Sequence, residues 1–134
     1  IGMGVLAGSD IKSYEDLAGK QVAAKIGAEG CAFAESIADQ YGFTIAQFED
    51  SATMFQDVLA GTSAAVFDDY PVIGYEITRG IGLSLPMPME RGSSYGIATL
   101  KGKNPELVEM LNKGLADLKE SGKYDEIVNT YISK

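Results

Sequence analysis

The sequence predicts an α/β fold with a mostly parallel sheet and helices on both of its faces. Short apolar runs alternate with segments of helical spacing from residue 21 to residue 79, and glycines or turn residues separate them. Such alternation is typical of a parallel sheet covered by crossover helices. The run at residues 64–67 is apolar throughout, as expected of a strand buried on both faces.

Each element has its own signal in the sequence. The predicted elements, in order, are a helical turn at 14–17 after Ser13, a strand at 21–25, a helix at 33–41 ending at Gly42, a strand at 44–49, a helix from Ser51 to Gly61, a strand at 64–67, a helix at 71–79 and an extended segment at 83–89. Pro86 and Pro88 exclude a helix from the last segment.

A different pattern begins after Ser94. A strand is predicted at 95–100, and two helices follow, the first beginning at Asn104-Pro105. The first of these helices carries an apolar stripe formed by Leu107, Met110, Leu111, Leu115 and Leu118. Because the stripe lies outside the alternating unit, we expect it to require a further surface that covers it.

Composition excludes several classes of function. With 134 residues the chain forms about one domain, and its 11 basic and 19 acidic residues give a net charge of −8. That sign is wrong for a protein that binds nucleic-acid phosphates. The sequence contains no histidine, which excludes Ser-His or Cys-His catalysis and a histidine-based zinc site. Cys31 is the single cysteine and is expected to be a small buried group early in a helix.

Two adjacent carboxylates mark the first candidate site. Asp68 and Asp69 follow the buried strand, and Pro71 then opens a helix. Strand ends of this kind lie at the carboxyl edge of an open α/β sheet, where ligands bind. Two neighbouring acids repel each other unless a cation or a set of donors compensates them, so we expect an ammonium group nearby. Alternatively, one of the two acids caps the following helix.

A glycine-containing loop marks the second candidate site. The segment Lys25-Ile-Gly27-Ala28-Glu29-Gly joins a strand to a helix, and the start of that helix favours a carboxylate or phosphate. The pattern is neither a P-loop nor a dinucleotide fingerprint. Since parallel strands end at the same edge, the loop and the acid pair are expected to face one small zwitterion, such as a free α-amino acid.

Six motifs occur in a characteristic order: Asp16-Leu-x-Gly-Lys, Val22-Ala-x-Lys-x-Gly, Asp68-Asp-x-Pro-Val, Tyr95-Gly-Ile-Ala, Asn104-Pro-Glu-Leu and Gly122-Lys-Tyr-Asp-Glu-Ile. This order resembles the amino-acid-binding proteins of ABC importers, which have the type II periplasmic-binding-protein fold of two hinged lobes. The greatest likeness is to the glutamine-binding domains of Gram-positive importers. The resemblance covers essentially the whole chain.

The resemblance implies how the chain is divided. Residues 1–7 would be a hinge strand, and 8–93 the second ligand-binding lobe. Residues 94–134 would contain the return hinge strand and the C-terminal helices, which would pack on the first lobe. Most of the first lobe would then be absent from this chain.

The resemblance also implies roles for individual residues. Asp69 would pair with the ligand ammonium, and Lys25 would lie near the ligand side chain. Gly27, Ala28 and Glu29 would face the ligand carboxylate through backbone N–H groups, provided that the Glu29 side chain points outward. Asp68 would either contact the ligand side chain or support its neighbours.

The function that follows is the solute-binding component of an amino-acid ABC transporter, for glutamine or another polar amino acid, without catalysis, cofactor or metal. The expected partners are the free amino acid, an ABC permease, and the first lobe or a second copy through the C-terminal helices. No nucleic acid is expected, and the expected location is the extracellular face of the membrane or the periplasm. The alternatives are a ligand-sensing receptor domain of the same fold, and a small enzyme on this scaffold.

Overall fold

The computed structural model describes residues 1–90, 92 and 94–132. The chain divides into two compact units, Ile1–Gly92 and a second unit whose described part is 94–131. The elements of the first unit are β1 (Gly2–Leu6), a short 3-10 helix (Glu15–Leu17), β2 (Gln21–Lys25), α1 (Glu29–Tyr41), β3 (Thr44–Phe48), α2 (Ser51–Leu59), β4 (Ala65–Asp68), α3 (Tyr70–Thr78) and β5 (Leu83–Ser84). The second unit contains α4 (Pro105–Glu120) and α5 (Lys123–Tyr131).

The five strands form one sheet in the order β3-β2-β4-β1-β5. β2 pairs in parallel with both β3 and β4, whereas β1 pairs antiparallel with β4 and with β5. Four strands therefore run in one direction, and β1 runs in the other. The prediction of a mostly parallel sheet is confirmed, with β1 as the exception.

Helices cover both faces of the sheet, as predicted. Because successive side chains of a strand point to opposite faces, neighbouring residues of β4 join different cores. Phe67 packs in the cluster that contains Ala34 of α1, while Val66 packs in the cluster that contains Met54 of α2 and Ile73 of α3. Every residue of β4 is buried, which confirms the prediction of a strand covered on both faces.

Three helix ends lie within one residue of the positions that the sequence predicted. Gly42 ends α1 in the left-handed conformation, with a φ of 71°, as its position in the sequence predicted. The helix α2 begins at Ser51, and Asp50 caps it by accepting a 2.9 Å hydrogen bond from the Thr53 N–H. The helix α3 begins at Tyr70, with Asp69 at the N-cap position.

The second unit lacks the strand predicted at 95–100. Residues 94–100 have no regular secondary structure, and Tyr95, Ile97 and Leu100 are 72%, 74% and 74% exposed. A strand requires a neighbouring strand to pair with, and no strand of the described residues pairs with this segment. The assignment of 1–7 and 94–134 to hinge strands and first-lobe contacts otherwise stays a prediction.

The two C-terminal helices expose their apolar residues. α4 and α5 pack on each other, but neither contains a buried residue. Met110 is 71% exposed, and Leu107, Leu115 and Leu118 are also exposed. The stripe predicted from the sequence therefore consists largely of exposed residues. Among the described residues, no helix has the length and apolar character needed to cross a membrane.

Candidate functional site

Three parallel strands bring their carboxyl ends to one edge of the sheet. Lys25, the last residue of β2, lies opposite Phe48 of β3, and the preceding Ala24 lies opposite Phe67 of β4. The next residue of β4 is Asp68, so that Lys25 and Asp68 end neighbouring strands. We refer to Lys25, Ser51, Asp68 and Asp69 as the rim cluster.

A serine connects the two charged strand ends of the rim cluster. The Lys25 Nζ donates a hydrogen bond to the Ser51 Oγ at 3.0 Å. Ser51 is the first residue of α2, and its hydroxyl lies 3.5 Å from the Asp68 Oδ2, to which it donates a long hydrogen bond. Residues that are 26 and 17 positions apart along the chain thus form one polar chain at the rim.

Asp68 is an acid buried in the protein. It is 2% exposed, and its Oδ1 accepts a 2.9 Å hydrogen bond from the Asp69 N–H. Burial raises the pKa of the Asp68 carboxyl above its ordinary value, and the nearby Asp69 charge adds to the rise. The Asp69 N–H, the Lys25 ammonium and the Ser51 hydroxyl act in the opposite direction, since each stabilises the charged carboxylate.

Asp69 differs from Asp68 in having an unused carboxylate. It occupies the N-cap position of α3, yet its side chain makes no capping hydrogen bond. The side chain is half-buried, and within residues 1–90, 92 and 94–132 it has no hydrogen-bond or ion-pair partner. The interpretation in which one acid of the pair caps the helix is therefore wrong for the Asp69 side chain. The rim cluster holds one cation and two acids, and the uncompensated acid is Asp69.

The loop between β2 and α1 reaches the same rim. Gly27 has a φ of +71°, a conformation that glycine adopts without strain, and the chain turns sharply there. Ala28 is the N-cap of α1, and its side chain makes no capping hydrogen bond. The backbone N–H groups of the first helical turn therefore receive no cap from the Ala28 side chain. The Glu29 side chain is exposed, as the predicted role of the loop required.

Gly30 places the start of α1 directly against the end of β4. A Cβ atom at Gly30 would lie 2.5 Å from the Phe67 carbonyl oxygen and 2.9 Å from the Asp68 Cα. Only a glycine permits this approach, because both obstacles are backbone atoms. The positive end of the α1 dipole therefore lies beside the acid pair.

The structure places the predicted site residues as follows. Lys25, Asp68 and Asp69 come together at the rim, and Gly27, Ala28 and Glu29 form the adjoining loop. The assignment of these six residues to ligand binding stays a prediction. Ser51 was missed, because the sequence marked it only as the start of a helix. Gly30 was recognised as part of the loop, but its contact with β4 had no signal beyond the glycine itself.

The fold belongs to one class, the α/β lobe of the periplasmic-binding-protein type. Among known proteins, the chain is similar to the second substrate-binding domain of an amino acid ABC transporter from Streptococcus pneumoniae, with 39% identity and a TM-score of 0.84. The match covers 98% of this chain and 60% of that one. Substrate-binding domain 2 of GlnP from Lactococcus lactis, solved in an open conformation, is also 39% identical, with a TM-score of 0.82 and coverage of 98% and 57%.

A curated relative agrees with the two structures. The arginine-binding extracellular protein ArtP of Bacillus subtilis is 23% identical over 126 residues, which are 93% of this chain and 49% of ArtP. No protein-family model matches the chain. The resemblance recognised in the motifs is confirmed: the chain is similar to the second substrate-binding domains of amino acid ABC transporters. It spans between 49% and 60% of the length of these relatives.

Proposed function

We propose that this chain is the second lobe of the solute-binding component of an amino-acid ABC importer. Its ligand is a free α-amino acid, glutamine or another polar one, which it binds without catalysis. It acts at the extracellular face of the membrane and delivers the ligand to an ABC permease. The similarity to transporter substrate-binding domains, and the description of ArtP as extracellular, support this proposal.

The observation that carries the proposal is the unused carboxylate of Asp69. Asp68 already accepts the Asp69 N–H and lies beside Ser51, whereas the Asp69 side chain has no partner in the described part of the chain. An ammonium group supplies both the positive charge and the N–H donors that this carboxylate lacks. The α-ammonium of an amino acid therefore fits Asp69.

The opposite end of a zwitterion fits the neighbouring loop. The Ala28 N–H donates to the Lys25 carbonyl oxygen, so a ligand carboxylate would be stabilised by the N–H groups of the first turn of α1 that follow Ala28. Asp69 and the α1 start adjoin each other because Gly30 packs against Phe67 and Asp68. An α-amino acid carries its ammonium and its carboxylate on the same carbon atom, so it can bind to Asp69 and to the α1 start at once.

Lys25 supports a neutral polar side chain in the ligand. Its ammonium has three N–H donors, and Ser51 accepts one of them. The remaining donors suit a carbonyl oxygen such as that of a glutamine side chain. A guanidinium at the same place would be repelled by the like charge, so we expect glutamine to bind more tightly than the arginine that ArtP is named for.

The exposed stripe of α4 supports a two-lobed parent protein. Leu107, Met110, Leu115 and Leu118 are all exposed, and relatives of this chain are longer than the part that it matches. We propose that the first lobe covers the stripe and completes the ligand site. A second copy of the chain is the alternative partner for the same surface.

A calorimetric titration of the complete two-lobed protein with glutamine tests the proposal. Asp69→Asn removes the charge that pairs with the ammonium, and since charge-assisted hydrogen bonds contribute about 1.5–3 kcal/mol, binding should weaken at least tenfold. Asp39→Asn is the matched control, because Asp39 is an exposed acid near the far end of α1. Unchanged affinity in Asp69→Asn would contradict the assignment. Mass spectrometry of the released ligand should return it unaltered.

A further inference from the structure

Both carboxylate oxygens of Asp68 are directed at groups of the protein itself. The Oδ1 lies 2.9 Å from the Asp69 nitrogen and the Oδ2 lies 3.5 Å from the Ser51 hydroxyl. The residue is 2% exposed, and the start of α1 lies against its backbone through Gly30. A ligand that contacted this carboxylate directly would have to displace one of these internal contacts.

The hydrogen bond that Asp68 accepts comes from the N–H of Asp69, whose own carboxylate has no partner among the described residues. Asp69 has φ and ψ angles of −60° and 126°, so its backbone is extended immediately before α3. Its carbonyl oxygen accepts the first helical bonds, from the Val72 and Ile73 N–H groups. With its N–H held by Asp68 and its carbonyl held by α3, the backbone of Asp69 is fixed on both sides, and this limits the directions in which its carboxylate can point.

Ser51 links the same acid to the cation of the rim cluster. The Lys25 ammonium donates to Ser51, and Ser51 in turn donates to Asp68. Among the described residues no direct ion pair joins Lys25 to Asp68. The lysine is therefore held by the Ser51 hydroxyl and not by a carboxylate, and the Asp69 carboxylate has no cation as a partner among the described residues.

We propose that Asp68 is a positioning residue for ligand binding, which holds the Asp69 main chain so that its carboxylate is directed at the ligand ammonium before the ligand arrives. This inference rests on the proposed function and extends it, since it assigns the two adjacent acids different tasks. The acceptor oxygen of Asp68 is what matters for Asp69, so an amide at position 68 can replace the carboxylate.

Two substitutions test the assignment in the two-lobed protein. Asp68→Ala removes the acceptor for the Asp69 N–H but leaves the bond from Lys25 to Ser51, and glutamine binding should weaken about tenfold. Asp68→Asn keeps an acceptor oxygen, and affinity should stay within about threefold of the wild type. In Asp68→Ala, the affinity for methionine, a neutral amino acid with no side-chain amide, should fall by the same factor as the affinity for glutamine. Both ligands carry the same ammonium group, and positioning acts on that group.

Amide hydrogen exchange provides a readout that needs no ligand. In this chain, exchange of the Asp69 N–H should accelerate about tenfold in Asp68→Ala and remain close to the wild-type rate in Asp68→Asn. Should Asp68→Ala fail to fold, the Asp68→Asn variant still decides, because a glutamine-to-methionine preference changed by more than about threefold would indicate a direct side-chain contact.

Other outcomes separate this inference from the proposed function. An Asp69 exchange rate that does not change in Asp68→Ala would overturn the inference, as would an Asp68→Asn variant that loses as much affinity as Asp68→Ala. A wild-type protein that binds no amino acid would overturn the proposed function. A wild-type protein that binds glutamine, together with an Asp68→Ala variant of equal affinity, would overturn the positioning role alone.

Discussion

The contact between Gly30 and β4 gives the sharpest prediction about stability. In Gly30→Ala, the added methyl group would lie 2.5 Å from the Phe67 oxygen, 2.8 Å from the Phe67 carbonyl carbon and 2.9 Å from the Asp68 Cα. All three atoms belong to the backbone of a strand that is hydrogen-bonded to β1 and β2. The strand cannot move without disturbing the sheet, so the start of α1 has to shift instead.

The expected loss of stability in Gly30→Ala follows from the severity of this overlap. Overpacking of a well-packed interior destabilises by about 1–3 kcal/mol, and we expect the upper end because no flexible side chain can give way. For a unit of this size each kcal/mol shifts the melting temperature by about 4–8 °C, so Gly30→Ala should lower it by about 12–24 °C. Displacement of the α1 start should also weaken glutamine binding in the two-lobed protein.

A urea titration followed through the amide resonances of the first unit measures the effect. Gly114→Ala is the matched control, because Gly114 lies in α4 and has no positive φ. Apart from its chain neighbours and the backbone of its own helix, no atom of the described residues lies within 4 Å of the place where its Cβ would be. That substitution should stabilise α4 by about 0.5–1 kcal/mol and should not lower the urea midpoint of the first unit. A Gly30→Ala protein as stable as the wild type would refute the proposed packing of α1 on β4.

Two further predictions concern Asp50, which caps α2, and Asp68 of the rim cluster. Asp50→Ala removes the cap of α2 and should lower the urea midpoint, though by less than Gly30→Ala does, whereas Asp39→Ala should leave it unchanged. For Asp68 the pKa is raised from its ordinary value of 3.8, so the stability that this group contributes is fully present below that value and is lost as the pH rises through the folded-state pKa. Asp68→Asn should therefore gain stability over the wild type more at pH 7 than at pH 3 in thermal melts, and a gain that is equal at both pH values would contradict this reasoning.

The fold was largely predictable because its signals are local. The periodicity of α1, the glycine at its end and the apolar run of β4 each depend on residues that are close in the sequence. These signals gave the elements from β2 to α3 to within a few residues. The strand at 1–7 was implied only by the resemblance, and of the extended segment at 83–89 only Leu83–Ser84 forms a strand. The antiparallel direction of β1 had no such signal, because strand direction depends on pairing with β4, 60 or more residues away.

The candidate site was only partly predictable. Adjacent acids at a strand end and a glycine loop at another indicated the rim, since parallel strands end together. The sequence could not show that Ser51 lies between Lys25 and Asp68, because that contact joins three separate elements. The strand at 95–100 was predicted from its composition alone, and composition does not supply the neighbour that a strand needs.

The backbone pairing between Ile1 and Glu90 has a consequence for protein engineering. The Ile1 nitrogen lies 2.9 Å from the Glu90 oxygen, and the Glu90 nitrogen lies 2.8 Å from the Ile1 oxygen. Tyr14 also donates a 3.1 Å hydrogen bond to the Glu90 side chain. The first residue of the first unit and a residue beyond its last strand are therefore neighbours, as in domains that tolerate transplantation into a surface loop of another protein. Segment 1–90 could be grafted into such a host through two closely spaced connections, and Gly2, which lies opposite Asp68, would place both junctions beside the rim.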